Sequence, residues 1–222
     1  MSLGLSALSD SMKFEDFCKI HIIFMQQLTI FAFPRDNEIG LWKYMTFNLD
    51  THNSEVKRDS MIDLVPAAPT DDEFLYALYA ETRRDELNAL GWDDAQRNAF
   101  LRMQFDAQRR SYRMQYARFE QSIVYRGSEA IGQISKACME DTIVIVDISI
   151  ASIYRCQGIG GKLINELQEA AKRQGMKVRL HVLQVNPAVR LYHRLGFQVT
   201  AERFPYMAME WEDAVQAESP DN

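Results

Sequence analysis

Arg155-Cys156-Gln157-Gly158-Ile159-Gly160-Gly161-Lys162 joins an apolar, strand-like run, Thr142 to Ile150, to a helix-like run from Ile159 to Gln174. Glycines at such a junction let backbone N–H groups approach a ligand without interference from a Cβ. The helix start adds unsatisfied donors and the positive end of the dipole, so the spacing favours a phosphate or pyrophosphate. Two common phosphate motifs are excluded. A Walker loop needs Gly five positions before its Gly-Lys and Ser or Thr after it, whereas this chain has Cys156 and Leu163. The dinucleotide fingerprint needs Gly or Ala three residues after its second glycine, and that slot is again Leu163. What remains is Arg-x-x-Gly-x-Gly over residues 155–160.

Downstream, Lys177 to Val185 has the composition of a short buried strand, with Val178, Leu180, Val182 and Val185 as its apolar content. It runs into Asn186-Pro187-Ala188-Val189-Arg190-Leu191-Tyr192-His193-Arg194-Leu195-Gly196-Phe197. Asn186 suits a helix cap, Pro187 a first turn and Gly196 a C-terminal stop.

Arg-x-x-Gly-x-Gly resembles the acyl-CoA pyrophosphate loop of the GNAT superfamily of N-acyltransferases. Asn-Pro-Ala…Leu-Tyr…Leu-Gly-Phe resembles the second signature of that superfamily, at the expected distance after the first. Together they are far more specific than either, and the chain is identified as a GNAT superfamily member over roughly Met61 to Trp211. The resemblance implies an α/β (α+β) fold, with a mixed, mostly antiparallel sheet of about six to seven strands flanked by helices. It also implies a splayed central strand pair.

Size and composition agree with that class. The chain has 222 residues, 47% hydrophobic and 25% charged, enough for an ordinary core. A net charge of −6 gives no reason to expect nucleic-acid binding. Locally the balance reverses, since Arg155 to Arg179 holds six basic and two acidic residues. Cys18, Cys138 and Cys156 have no metal-ligand spacing and no even count, so a reducing, cytoplasmic setting is expected, with no metal. No signal peptide is apparent. The most apolar stretch, Ile20 to Phe33, is interrupted by His21, Gln26, Gln27 and Thr29 and is too short to span a bilayer.

Three segments are expected. Residues 1–60 do not match the superfamily pattern, and Leu49 to Ser60 has linker composition. An appended element, a dimerisation arm giving a homodimer, and a stretch upstream of the true start are the open readings, the first preferred. Residues 61–212 form the acetyltransferase domain, and 213–222 a frayed acidic tail. Within the domain the pattern predicts a strand at Met61–Val65, a helix from Pro69 through about Ala80, and a second from Asp93 to Arg118 after a break at Gly91-Trp92. A hairpin is predicted over Gln121–Tyr125 and Ala130–Cys138, with strands at Thr142–Ile150, Lys177–Val185, Phe197–Ala201 and Met207–Trp211.

The resemblance further implies a site. Acetyl-CoA would be the acyl donor. Its pantetheine arm would lie between the splayed strands against the backbone of Ile148, Ser149 and Ile150, where a bulge would aim an N–H at the thioester carbonyl. The amides of Gln157, Gly158, Ile159, Gly160, Gly161 and Lys162 would hold the pyrophosphate, with Cys156 in the same loop and charge from Arg155 and Lys162. Lys172 or Arg173 would reach the adenine end, and Asn186 would cap its helix and touch pantetheine. Two slots depart from similar proteins: Ser152 stands where a proline is frequent, and Cys156 where glycine is. Tyr192 is the candidate general acid for the leaving sulfur. For the base, Asp147, Glu120 and His181 are open, as is a water chain without a dedicated base; strand alternation puts Asp147 and Ser149 on one face, and Asp147 is carried forward. Gln104, Gln108 and Tyr112 fall on one helical stripe and, with Tyr206, could shape an acceptor pocket for a small-molecule or peptide amine. The expected activity is acetyl transfer to a primary amine by direct attack. A lapsed CoA-binding sensor or scaffold is the alternative, against which the intact Tyr192 argues.

Overall fold

Ile143, Ile145, Ile148 and Ile150 all pack on one side of the central strand, although spacings of two, three and two residues cannot share a face in an unbroken strand. The computed structural model, which describes residues 61–88 and 91–213, shows why. Against the preceding strand, Ser135 pairs with Asp147 and Lys136 with Ile145, so Val146 is an extra residue. This bulge moves the alternation by one position. It keeps four isoleucines on the helix-covered face and turns Asp147 and Ser149 to the other.

The strands are β1 (Ile62–Pro66), β2 (Phe119–Arg126), β3 (Glu129–Cys138), β4 (Thr142–Ile150), β5 (Lys177–Leu183), β6 (Gln198–Arg203) and β7 (Tyr206–Trp211). They form one seven-stranded sheet in the order β1-β2-β3-β4-β5-β7-β6. Every pairing is antiparallel except β4 with β5. The described helices are α1 (Asp72–Asn88), α2 (Asp94–Gln115), α3 (Ile159–Gln174) and α4 (Val189–Arg194). The expected mixed, mostly antiparallel sheet is therefore present.

The described residues fall into two units, one of residues 83–115 and one of residues 61–82 with 116–213. The second holds the whole sheet. Its core joins Ile159, Leu163, Ile164, Leu167 and Ala171 of α3 to Ile143, Ile145, Val178 and Leu180 of β4 and β5. The α3 positions recur at the spacing of one helical face. Phe197, fully buried, lies edge-on to Tyr192 of α4.

Several boundaries differ from the sequence reading. The helix expected to end near Ala80 opens with a 3-10 turn at Pro69–Asp71 and runs to Asn88. The one expected to reach Arg118 stops at Gln115. The helix after β5 starts at Val189, because Asn186 and Pro187 form a preceding turn. The reading of residues 1–60, Cys18 among them, and of residues 214–222 lies outside the described residues. Asp213 is described and pairs with Lys172 at 3.2 Å. No described helix is long and apolar enough to cross a membrane.

Candidate active site

Past β4 the chain makes a 3-10 turn, Ser152–Tyr154, and then places Cys156 (φ 60°) and Gly158 (φ 80°) in the left-handed region. Left-handed residues among ordinary ones turn successive N–H groups toward one concave side, a shape suited to anions. Gly158 caps α3, so the N–H groups of Ile159, Gly160 and Gly161 have no acceptor within the helix. That of Lys162 donates to the Gly158 carbonyl at 3.0 Å. A Cβ built on Gly158 would meet no heavy atom within 4 Å, so space is open above the turn. An open groove of about 550 Å³ continues from Gly158, Gly161 and Lys162 past Glu169 to Arg173.

Side chains strap this loop down. Arg155 Nε donates to the Ile150 carbonyl at 2.8 Å. Gln157 Nε2 donates to the Ile153 carbonyl, and its Oε1 accepts from Arg126 of the β2–β3 hairpin at 2.9 Å. The Ser152 N–H donates to Glu81 of α1 at 3.1 Å. The other end of the cradle is packed rather than bonded: Leu191 of α4 would lie 3.7 and 3.6 Å from Cβ atoms on Gly160 and Gly161. The two sequence signatures thus meet in space.

Beside the loop the sheet opens. β4 pairs with β5 only from Thr142 to Ile145, so Val146 to Ile150 have no partner on that side. Half of their polar groups face the gap. The Ile150 carbonyl is an exception, already held by Arg155.

Beside this opening Tyr192 lies within electrostatic reach of Asp147. Tyr192 is 6% exposed, and burial first, then the Asp147 carboxylate, push its phenol from 10.0 up to about 12. Gln133 Nε2 donates to Asp147 Oδ2 at 2.7 Å. The Gln133 oxygen accepts from Ser135 Oγ at 2.9 Å and from Gln121 Nε2 at 3.3 Å. Two donors on the oxygen fix the amide, so its NH₂ group faces the carboxylate. Gln133 and Ser135 are both buried, which makes this satisfied network costly to break.

Over residues 118–199 the chain matches the model of the acetyltransferase (GNAT) domain. The chain carries a GNAT acetyltransferase domain. It is accordingly an enzyme of the acyltransferase class. Its fold is similar to that of the PaiA N-acetyltransferase from Thermoplasma acidophilum in complex with coenzyme A, at TM-score 0.54 and 18% identity, covering 69% of this chain and 99% of that one. An acetyltransferase from Thermus thermophilus gives 0.53 at 16%, covering 70% and 99%. A third protein, from Pyrococcus horikoshii, gives 0.52 at 16%, covering 69% and 99%. At these identities the likeness is one of fold. No curated protein matches the chain.

Within this GNAT domain the sequence-derived candidates fare differently. Gly158, Gly161, Lys162 and Arg173 share the groove, whereas Lys172 is drawn to Asp213. Cys156 is exposed in a strained conformation that glycine would adopt freely. Asn186 Oδ1 accepts from the Ala188 N–H at 2.9 Å, so it caps the turn ahead of α4. The bulge expected at residues 148–150 lies earlier, at Val146. Glu120 is half of a surface ion pair with Lys136 at 3.1 Å, on the opposite face from Asp147. His181 shares the face of Asp147, and burial followed by Arg179 lowers its imidazole below 6.5.

Gln104, Gln108 and Tyr112 lie on α2 in the other unit, where Gln108 Nε2 donates to the Tyr112 hydroxyl at 2.8 Å. Tyr206 pairs with Leu183 at the start of β7. Among the described residues no group of three or more His, Cys, Asp or Glu is placed to hold a metal. Sequence reasoning missed Gln133 and Glu81. Two uncharged polar residues at strand spacing, Gln133 and Ser135, flanking Ile134 in β3 were a signal; Glu81 left none.

Proposed function

We propose that the protein is an N-acetyltransferase that takes acetyl-CoA and a primary amine into a ternary complex and joins them by direct attack. The observation that carries the reading is the opening between β4 and β5, with the amide cradle of Gly158 to Gly161 at its mouth and Tyr192 and Asp147 beside it. The fold likeness to a coenzyme A complex supports the choice of donor. The cradle would grip the pyrophosphate through main-chain N–H groups, and β4 backbone facing the gap at Ile148 and the Ile150 N–H would pair with the pantetheine arm, whereas the Ser149 main chain faces β3.

In this scheme the acceptor nitrogen loses a proton to Asp147, the N–C bond forms and the C–S bond breaks. Gln133 holds the carboxylate toward the acceptor. Tyr192 acts on the leaving sulfur. A phenol at about 12 keeps its proton throughout the working range. Full transfer to a thiolate of ordinary pKa near 8.5 would be uphill by about 5 kcal/mol. Tyr192 therefore serves as a hydrogen-bond donor to the developing thiolate, which takes its proton from solvent on release. The acceptor class is a small-molecule or peptide amine, bound on the face that carries Asp147 and His181, with Tyr206 near its edge. A cytoplasmic setting follows from the cysteine usage.

An acceptor panel with release of free coenzyme A and mass detection of acylated products tests the reading. Acetyl transfer to at least one amine, reduced strongly in Tyr192→Phe, is expected. Coenzyme release by no amine in the panel, or full turnover by the variant, would refute it.

A further inference from the structure

We propose that Glu81 is a positioning residue for the coenzyme loop, acting through the main-chain N–H at Ser152; this rests on the reading of that loop as the coenzyme cradle. The backbone at this point has the shape of a proline site. Ala151 has φ −56° and ψ 141°, the extended conformation that a following proline imposes. Ser152 is the first residue of the 3-10 turn, a position where the fixed φ of proline suits helical geometry and its missing N–H costs nothing inside the turn. A proline here would stiffen the exit from β4 once the Glu81 carboxylate swings aside, since the ring Cδ takes the place of the hydrogen that Glu81 now accepts.

Serine leaves the backbone looser but supplies a donor, and that donor is used. The Ser152 N–H donates to Glu81 Oε1 at 3.1 Å across 71 residues of sequence. Arg155 and Gln157 bond within the loop, while other outside ties run from Arg126 to Gln157, from the Tyr154 hydroxyl to Glu129 and, at the strand exit, from the Ala151 N–H to the Ile131 carbonyl. Glu81 thus ties α1 to the turn that sets the direction of Cys156 to Gly158. The restraint that a pyrrolidine ring would give internally is supplied from a neighbouring helix, and the ionised acceptor makes it a charge-assisted bond.

The substitution pattern expected is specific. Glu81→Ala removes the acceptor, and about 1 kcal/mol of lost positioning corresponds to roughly fivefold weaker coenzyme binding. Glu81→Gln keeps an accepting oxygen and restores most of the affinity. Ser152→Pro binds within about twofold of the parent, since the ring replaces the tether. In the Ser152→Pro background Glu81→Ala costs no further coenzyme affinity, because no N–H is left to hold and the ring has already displaced the carboxylate from the turn.

Isothermal titration of coenzyme A into the full chain and these four variants reads this directly. Equal loss from Glu81→Ala in both backgrounds would overturn the proposal, as would unchanged affinity in Glu81→Ala alone. A parent chain that does not bind coenzyme A would instead overturn the functional reading beneath it, so the two failures are told apart.

Discussion

Gly132 faces Ile150 across β3 and β4, and replacing it with alanine is the sharpest test of how the opening is built. A Cβ there would lie 2.5 Å from the Ser149 carbonyl oxygen, 2.7 Å from Ile150 Cδ1 and 3.2 Å from Ile150 Cα. The methyl end of Ile150 can rotate away. The carbonyl and Cα are main chain of the neighbouring strand and move only if the strands part, by about 1 Å to reach ordinary contact distance. Forcing a methyl group into a packed site costs about 1–3 kcal/mol. For a chain of 222 residues, about 2 kcal/mol lowers the melting temperature by roughly 4–8 °C. The same displacement shifts Ser149 and Ile150, so the KM for acetyl-CoA should rise as well. Thermal unfolding followed by circular dichroism, with steady-state kinetics, checks both. A Gly132→Ala protein that melts within a degree of the parent would refute the claim that close approach of these two backbones shapes the site.

Tyr192→Phe should lower kcat by at least tenfold at saturating substrate, as measured by thiol release. The same residue gives a stability signature. Its phenol is held at about 12 against an ordinary 10.0, so the folded state binds the proton more tightly and stability is fully retained below pH 10. It then falls by about 2–3 kcal/mol as pH rises toward 12. Urea unfolding across that range should show this loss in the parent and not in Tyr192→Phe. Asp147→Asn removes the smaller of the two causes of that elevation, and ultraviolet titration should find the Tyr192 phenol ionising at lower pH. Gln133→Leu leaves the donors of Ser135 and Gln121 without their shared acceptor; a loss of about 1–3 kcal/mol is expected in denaturant unfolding, with a changed pH–rate profile. Cys156→Gly, at φ 60°, exchanges strain of about 1–2 kcal/mol for a similar gain in unfolded-chain entropy. Its stability should stay within about 1 kcal/mol in the same assay.

The sequence by itself determined the order of the elements and the glycine-rich turn. Glycine spacing, a cap before an apolar helical run and a strand on each side are local signals, and they led to β4, α3 and the approximate course of β5. The phase slip in β4 was misplaced: a bulge was expected at residues 148–150, and the structure puts it at Val146. Helix ends were less legible. Nothing at Ala80 stops a helix, and Asn186-Pro187 fits a turn as well as a first helical turn.

Tertiary structure alone decided which side chains meet. Asp147 and Tyr192 are 45 residues apart in the chain, Asp147 and Gln133 are 14 apart, and Ser152 and Glu81 are 71 apart. Periodicity assigns a residue to a face but not to a partner, because partners depend on register, bulge and splay. The bulge at Val146 chose the face of Asp147, and the end of β4–β5 pairing at Ile145 opened the gap beside it. Both are products of strand pairing between segments that carry no record of each other in their own composition.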